Sequence, residues 1–117
     1  IRICLVGSEM CIRDRLAIAS SNAIAERQVG IVSGVIVSEE NDKKLFFFKL
    51  KNNLVSGCNT TGRYAFDESK DNYYLMSSAI LTAFKMKEEV TVEYTPTCNA
   101  WPNSFDIRYV CIGDINC

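Results

Sequence analysis

The chain has 117 residues, with 13 Lys and Arg against 14 Asp and Glu and no histidine. That balance offers no basic footprint for nucleic acid, and no apolar run reaches the ~20 residues that span a bilayer. The lack of histidine removes Ser–His and Cys–His nucleophile pairs and, with no C-x-x-C, the common zinc ligand sets, so neither a metal nor a cofactor is expected.

In chain order, the first stretch, CLVGSEMCIRDR (4–15), looks like the translation of a transposase-type sequencing adapter. Residues 1–15 are therefore set aside as an artefact. LAIASSNAIA (16–25) reads as the end of a secretory signal peptide: an apolar run, a polar break, then Ala23 and Ala25 at the −3 and −1 positions that signal peptidase requires to be small. A fragment of a helix opening a larger domain is the alternative. Residues 26–117 then form a single domain with 10 Lys and Arg against 12 Asp and Glu, a net charge of −2. Its four cysteines, Cys58, Cys98, Cys111 and Cys117, read as two disulfides of a periplasmic or secreted protein. Such staples suit a domain too small to bury much surface.

GIVSGVIVSEE (30–40) is β-branched and apolar, a strand with a bend or bulge at Gly34. NDKK (41–44) is a turn, and LFFFKLK (45–51) a second strand with Phe46, Phe48 and Leu50 on one side and Phe47 and Lys49 on the other. The Asn-, Gly- and Ser-rich stretch 52–62 is a loop. RYAFD (63–67) is a third strand with Tyr64 and Phe66 inward. The helix is expected over 67–87, with Asp and Ser at its start, Lys85 and Lys87 at its end, and a buried stripe of Met76, Ala79, Ile80 and Ala83. VTVEYT (90–95) alternates, with Val90, Val92 and Tyr94 inward; 96–103 is a loop; SFDIRYVCI (104–112) is the last strand, with Phe105, Ile107, Tyr109 and Cys111 on one face. The order β-β-β-α-β-β predicts a mainly β fold, a five-stranded antiparallel OB-like barrel plugged by one helix, with an open α+β sheet carrying one helix as the alternative.

Three pieces, SGCNTTGRYAFD, LMSSAILTAFKMKEEVTVEY and CNAWPNSFDIRYV, together with this element order, resemble small exported bacterial OB-fold proteins. The subtilase-cytotoxin type of B subunit, from pentameric A-B toxins, is the best-known relative of that kind. The likeness covers about residues 44–110. It departs at KMKEE, where related chains usually carry a glycine after the helix. The resemblance implies an OB fold and, as for toxin B subunits, a glycan ligand. It assigns no site residue.

Four cysteines allow three pairings. Cys58–Cys98 would tie the loop before the third strand to the loop after the fourth, leaving Cys111–Cys117. Strand parity, which turns Cys111 inward, keeps Cys58–Cys111 open. The carboxylates of Glu93 and Asp106 point outward by parity and read as a solvated sheet face rather than a catalytic pair. NTT (59–61) fits a glycosylation sequon. The residue types that suit a ligand are Asn99 and the lone Trp101 in the CNAWPN loop, with Tyr74 on the helix. Exposed aromatics beside amides stack on sugars or anchor a protein partner, but the reading weighed ahead of this for Trp101 is a cap on one end of the core. The expected function is an exported, non-enzymatic binding module for a glycan. The alternative is a protein-binding periplasmic or secreted module, inhibitor-like or structural. A homo-oligomer is compatible with either.

Overall fold

A computed structural model describes residues 25–117, so the adapter-like stretch and the signal remnant up to residue 24 lie outside the described residues. The elements are β1 (Glu26–Glu40), β2 (Lys43–Leu50), β3 (Arg63–Asp67), α1 (Tyr73–Met86), β4 (Glu89–Thr95) and β5 (Phe105–Ile112). The order is the expected one, mainly β with one helix. Neighbouring strands run β1-β2-β3-β5-β4, and β4 pairs back onto Glu26–Ile31 of β1, so the ring of pairings closes. The sheet is mixed rather than wholly antiparallel: β3 meets β5 in parallel at Tyr64–Phe105 and Ala65–Asp106. A parallel neighbour needs a long crossover, and α1 with β4 supplies it.

β1 is longer than its apolar pattern predicts. Its polar start, Glu26 to Gln28, is held by side chains instead: Arg27 Nε donates to Glu93 at 3.0 Å, the Tyr94 hydroxyl donates to Glu26 at 3.0 Å, and Gln28 bonds the Tyr64 hydroxyl and the Asn52 carbonyl. The strand serves two partners in turn, β4 with residues 26–31 and β2 from Val32 onward. The switch falls at a bulge between Val32 and Gly34, beside the expected glycine. The hairpin to β2 turns on Asn41 and Asp42, whose φ values of 53° and 62° are the left-handed pair of a type I′ turn.

One face of each strand meets α1 in the main core. Phe46, Phe48, Leu50, Tyr64, Phe66, Val90, Val92, Tyr94, Phe105 and Ile107 pack there with Tyr73, Met76, Ile80 and Ala83. Each fully buried side chain of this size contributes about 1.5–3 kcal/mol. A run of aromatic contacts crosses the interior: Phe48 to Tyr64 at 5.3 Å, Tyr64 to Tyr94 at 5.4 Å, and Tyr94 stacked on Phe105 at 5.2 Å. Burial raises the Tyr64 hydroxyl well above the usual tyrosine range. Burial, with the Glu26 carboxylate, pushes Tyr94 up to about 12.

Three further sequence expectations are corrected. First, the helix starts at Tyr73, not at 67, because Asp67 turns its carboxylate to the Ser69 amide and hydroxyl and forms a turn of its own. The helix ends at Lys87 in the left-handed conformation, φ 58°, while Glu88 N bonds Ala83 O at 3.0 Å. A lysine thus fills a position usually given to glycine. Lys87→Gly is expected to raise stability by about 0.5–1 kcal/mol in urea unfolding, the left-handed strain outweighing the added chain entropy. Second, the register of β4 on β5 slips, with Glu93 opposite Tyr109 and Tyr94 opposite Ile107, so Arg108 is an extra residue. Phe105 and Ile107 face the core, but beyond the bulge parity inverts: Val110 and Ile112 pack against the core instead of Tyr109 and Cys111. Cys111, freed from the interior, bonds Cys117, and Cys58 bonds Cys98. Third, Glu93 is not solvated. It is 8% exposed, with Arg27 and Arg108 at 3.0 and 3.1 Å and the Tyr109 hydroxyl donating at 2.7 Å.

Candidate functional site

The outward face of β2 and β3 would be polar in an ordinary half-buried sheet. Here the alternation of LFFFKL places Leu45 and Phe47 on it, and Ala65 comes from β3. These three are buried as a second, smaller cluster, covered by Ala100 and Trp101 from the loop joining β4 to β5. The Trp101 ring meets Phe47 edge-on, centroids 5.7 Å apart at 90°. The Arg63 guanidinium lies over the same phenyl ring, 4.9 Å from its centroid, the arrangement expected of a cation on an aromatic face. Arg63 is aimed by Asn103 Oδ1, which accepts at 2.9 Å, and by Thr61 Oγ1 at 3.2 Å.

The Trp101 loop is held from several directions. The Asp106 carboxylate accepts from the backbone amides of Asn99 and Ala100, at 3.0 and 2.9 Å, and from the Thr97 hydroxyl. Ser104 N closes the loop onto Trp101 O at 3.2 Å. The Thr61 hydroxyl donates to Asn103 O at 2.9 Å, and the Cys58–Cys98 bond joins the two loops. Beneath them Asn59 is fully buried: its carbonyl oxygen accepts from Gly62 N at 3.0 Å, and its amide donates to Leu54 O at 3.2 Å. Its place in the sequon is therefore structural, since a buried amide committed at both ends is closed to a glycan. Gly62 itself has φ 78°, which admits little but glycine.

Two hollows flank the Phe47–Trp101 ridge. One, about 160 Å³, is apolar and lies between Gly34, Ile36, Phe47, Lys49 and Arg63. The other, about 380 Å³, is lined by Asp67, Ser69, Lys70, Asn99 and Asp106, with Ala65 and Ala100 on the ridge side. Burial opposes the charged form of Asp67, but the Ser69 hydroxyl and amide and the Lys43 ammonium outweigh it, so the carboxyl sits below its usual range. The hollow thus offers a standing carboxylate, an ammonium, a hydroxyl and an amide around a small apolar floor.

Of the residues singled out from the sequence, Trp101 and Asn99 belong to one continuous surface. Trp101 is half-buried on the ridge and Asn99 is exposed beside the polar hollow. Tyr74 is 67% exposed on α1, edge-on to Tyr73, and lines a separate groove with Val37 and Leu81. Phe47, Arg63 and Asn103 are parts of the surface that sequence reasoning missed. The signal was the middle of three consecutive phenylalanines, which cannot face the same core as its two neighbours. Asp106, expected on a solvated face, is half-buried and its carboxylate holds the loop. Among the described residues no three His, Cys, Asp or Glu side chains are placed to hold a metal ion, and no helix is long and apolar enough to cross a membrane.

The Glu93 cluster makes stability depend on pH. The Tyr109 hydroxyl first, then Arg27 and Arg108 against the opposing effect of burial, hold this carboxyl below its ordinary value. A depressed folded-state value contributes stability above the unfolded-state value and loses it as pH falls through the folded one. The melting temperature should therefore drop on acidification through and below the usual carboxylate range. Glu93→Gln should lower it at neutral pH and converge with the parent at the acid end. Parallel curves across the whole range would refute the assignment.

Comparison with protein-family models, with curated proteins and with solved structures finds no match.

Proposed function

We propose that the protein is an exported, non-enzymatic binding module built on an OB-like barrel, and that its ligand is a glycan held beside the Trp101 loop that covers the β2–β3 face. The strand order β1-β2-β3-β5-β4, with the helix between β3 and β4, fits the OB layout. That layout places ligands on the face of its second and third strands and on the loop between the fourth and fifth. Two disulfides suit an oxidising compartment. The net charge of −2 over residues 26–117, and two carboxylates in the polar hollow, weigh against the oligonucleotides that other members of the layout bind.

The observation that carries the reading is the position of Trp101, an aromatic ring braced on Phe47 between an apolar and a polar hollow. A sugar ring has an apolar C–H face and a rim of hydroxyls, and such a surface answers both. Because disulfide, proline and Asp106 fix the loop, little entropy is lost on docking. No catalytic role is assigned, since the Asp106 carboxylate is occupied by the loop's own amides.

Trp101→Ala is expected to abolish binding on a glycan array while costing only about 1–2 kcal/mol of stability, less than the 3–5 kcal/mol of a core aromatic, because the ring is half-buried. Retained binding would move the site elsewhere. Loss of the full core value would make Trp101 a packing residue. A protein captured through this face, with the array silent, would replace the ligand class.

A further inference from the structure

We infer that the apolar hollow beside Phe47 ends in a subsite for a phosphate monoester, held by Lys49 and Arg63, and that a phosphorylated sugar is the ligand. The anion subsite stands on its own observations, whereas the sugar that carries the phosphate rests on the glycan reading above. The register of β2 on β3 sets Lys49 directly opposite Arg63. The alternation that turns Phe47 outward turns both cations outward with it. Like charges directly opposite each other on one sheet face are destabilising, and no acid relieves this pair. Among the described residues the ion pairs engage Arg27, Arg108, Lys43 and Lys44, and neither Lys49 nor Arg63. On its other side Lys49 lies opposite Gly34 of β1, which has no side chain to offer.

Both cations stay open to an anion, in different ways. Arg63 is fixed: its Nε and Nη2 donate to the neutral oxygens of Thr61 and Asn103, and its guanidinium lies over the Phe47 ring. Among the described residues its Nη1 has no acceptor. A guanidinium aimed by neutral acceptors is oriented in advance and keeps its charge for a ligand. Lys49 is exposed, and its flexible stem lets the ammonium close on the same anion. Val35, Ile36 and Phe47 make the rest of the hollow apolar, and such walls strengthen a charge contact by keeping water from it. At Gly34 the hollow is open, since a Cβ there would meet nothing within 4 Å. Two unneutralised cations match a group with two negative charges. A phosphate monoester carries about −1.5 to −2 at neutral pH, whereas a carboxylate, a sulfate ester or a phosphodiester carries a single charge. The carboxylates of the polar hollow stand across the Phe47–Trp101 ridge, Asp67 beside Lys43 and Asp106 under the loop amides.

Calorimetric titration at constant ionic strength tests this. The probes are inorganic phosphate and glucose, galactose, mannose and N-acetylglucosamine, each free, as its 6-sulfate and as its 6-phosphate. For at least one sugar the 6-phosphate should bind about tenfold more tightly than the 6-sulfate, and inorganic phosphate should compete with it. Lys49→Gln should weaken the 6-phosphate about tenfold, the size of one charge-assisted contact, and leave the free sugar's affinity unchanged. It should also raise the melting temperature, because it removes the like-charge pair, so the lost affinity is not a folding defect. Lys49→Glu, which sets an acid opposite Arg63, should do more of both. Equal affinity for all three forms of every sugar overturns the subsite and leaves the glycan reading standing. Inorganic phosphate that binds through Lys49 while no sugar form binds more tightly overturns the phosphorylated sugar and the glycan reading, and keeps the subsite. Phosphate binding untouched in both Lys49 variants places the anion elsewhere and overturns the subsite. A single-stranded oligonucleotide that outcompetes every monoester replaces the ligand class.

Discussion

A Cys58→Ser, Cys98→Ser double variant should lose about 4 kcal/mol of unfolding free energy, the chain-entropy value for a loop of this length. The bond joins residues 40 apart in sequence, and Cys98 packs against the main core. Without it the two loops that carry Thr61, Asn103 and Trp101 are linked only by hydrogen bonds. Cys111–Cys117 spans only 6 residues, and the same relation gives about 2 kcal/mol for its removal. Urea unfolding of both double variants checks the order. If the loss is greater for Cys111–Cys117, chain entropy is not what these bonds contribute, and the tie across the small loop would then act through the Arg27 bond to the Cys117 carbonyl, 2.7 Å long.

The second large effect is expected at Asn59. Asn59→Ala leaves the Gly62 amide and the Leu54 carbonyl without their partner at a fully buried position. A buried polar group left unsatisfied costs about 1–3 kcal/mol, so the total should be near 3 kcal/mol. The denaturant midpoint should fall with little change in slope. Since the Asn59 carbonyl oxygen also lies 3.4 Å from the Thr61 hydroxyl, which donates to Asn103 O and accepts from Arg63 Nε, ligand affinity should weaken although no ligand contact is removed. A variant that loses stability and binds at full strength would separate the buried amide from the site.

Much of the fold was legible because period-two and period-3.6 patterns are written in apolar residues. RYAFD gave β3 to the residue, and the helix stripe gave Met76, Ile80 and Ala83. What escaped depended on partners distant in sequence. The start of β1 is polar, and only its pairing with Tyr94 to Glu89 makes it a strand. The extra residue at Arg108 leaves no local mark, yet it turns Tyr109 and Cys111 from the core to the outside and removes the objection to the Cys111–Cys117 pairing. Glu93 reads as solvated until Arg27, 66 positions earlier, is laid against it. The site was legible only as a residue type, a lone tryptophan in a constrained loop. Its setting on Phe47 and Arg63 required the fold.

The division of β1 between two partners has a consequence for how the chain folds. Its second half meets β2 across a two-residue turn, a local closure of the kind that forms in about 1–10 µs. Its first half pairs with β4, so Glu26 and Tyr94 meet across a separation of 68 residues that holds the hairpin, β3 and α1. Contacts of such long sequence separation are slow to form, because the entropy of closing the loop is lost before the contact returns anything. Transition-state mapping should therefore find the β1–β2 hairpin structured early and the β1–β4 seam late. Substitutions at Arg27 or Glu93 should speed unfolding, whereas changes at Asn41 and Asp42 should slow folding.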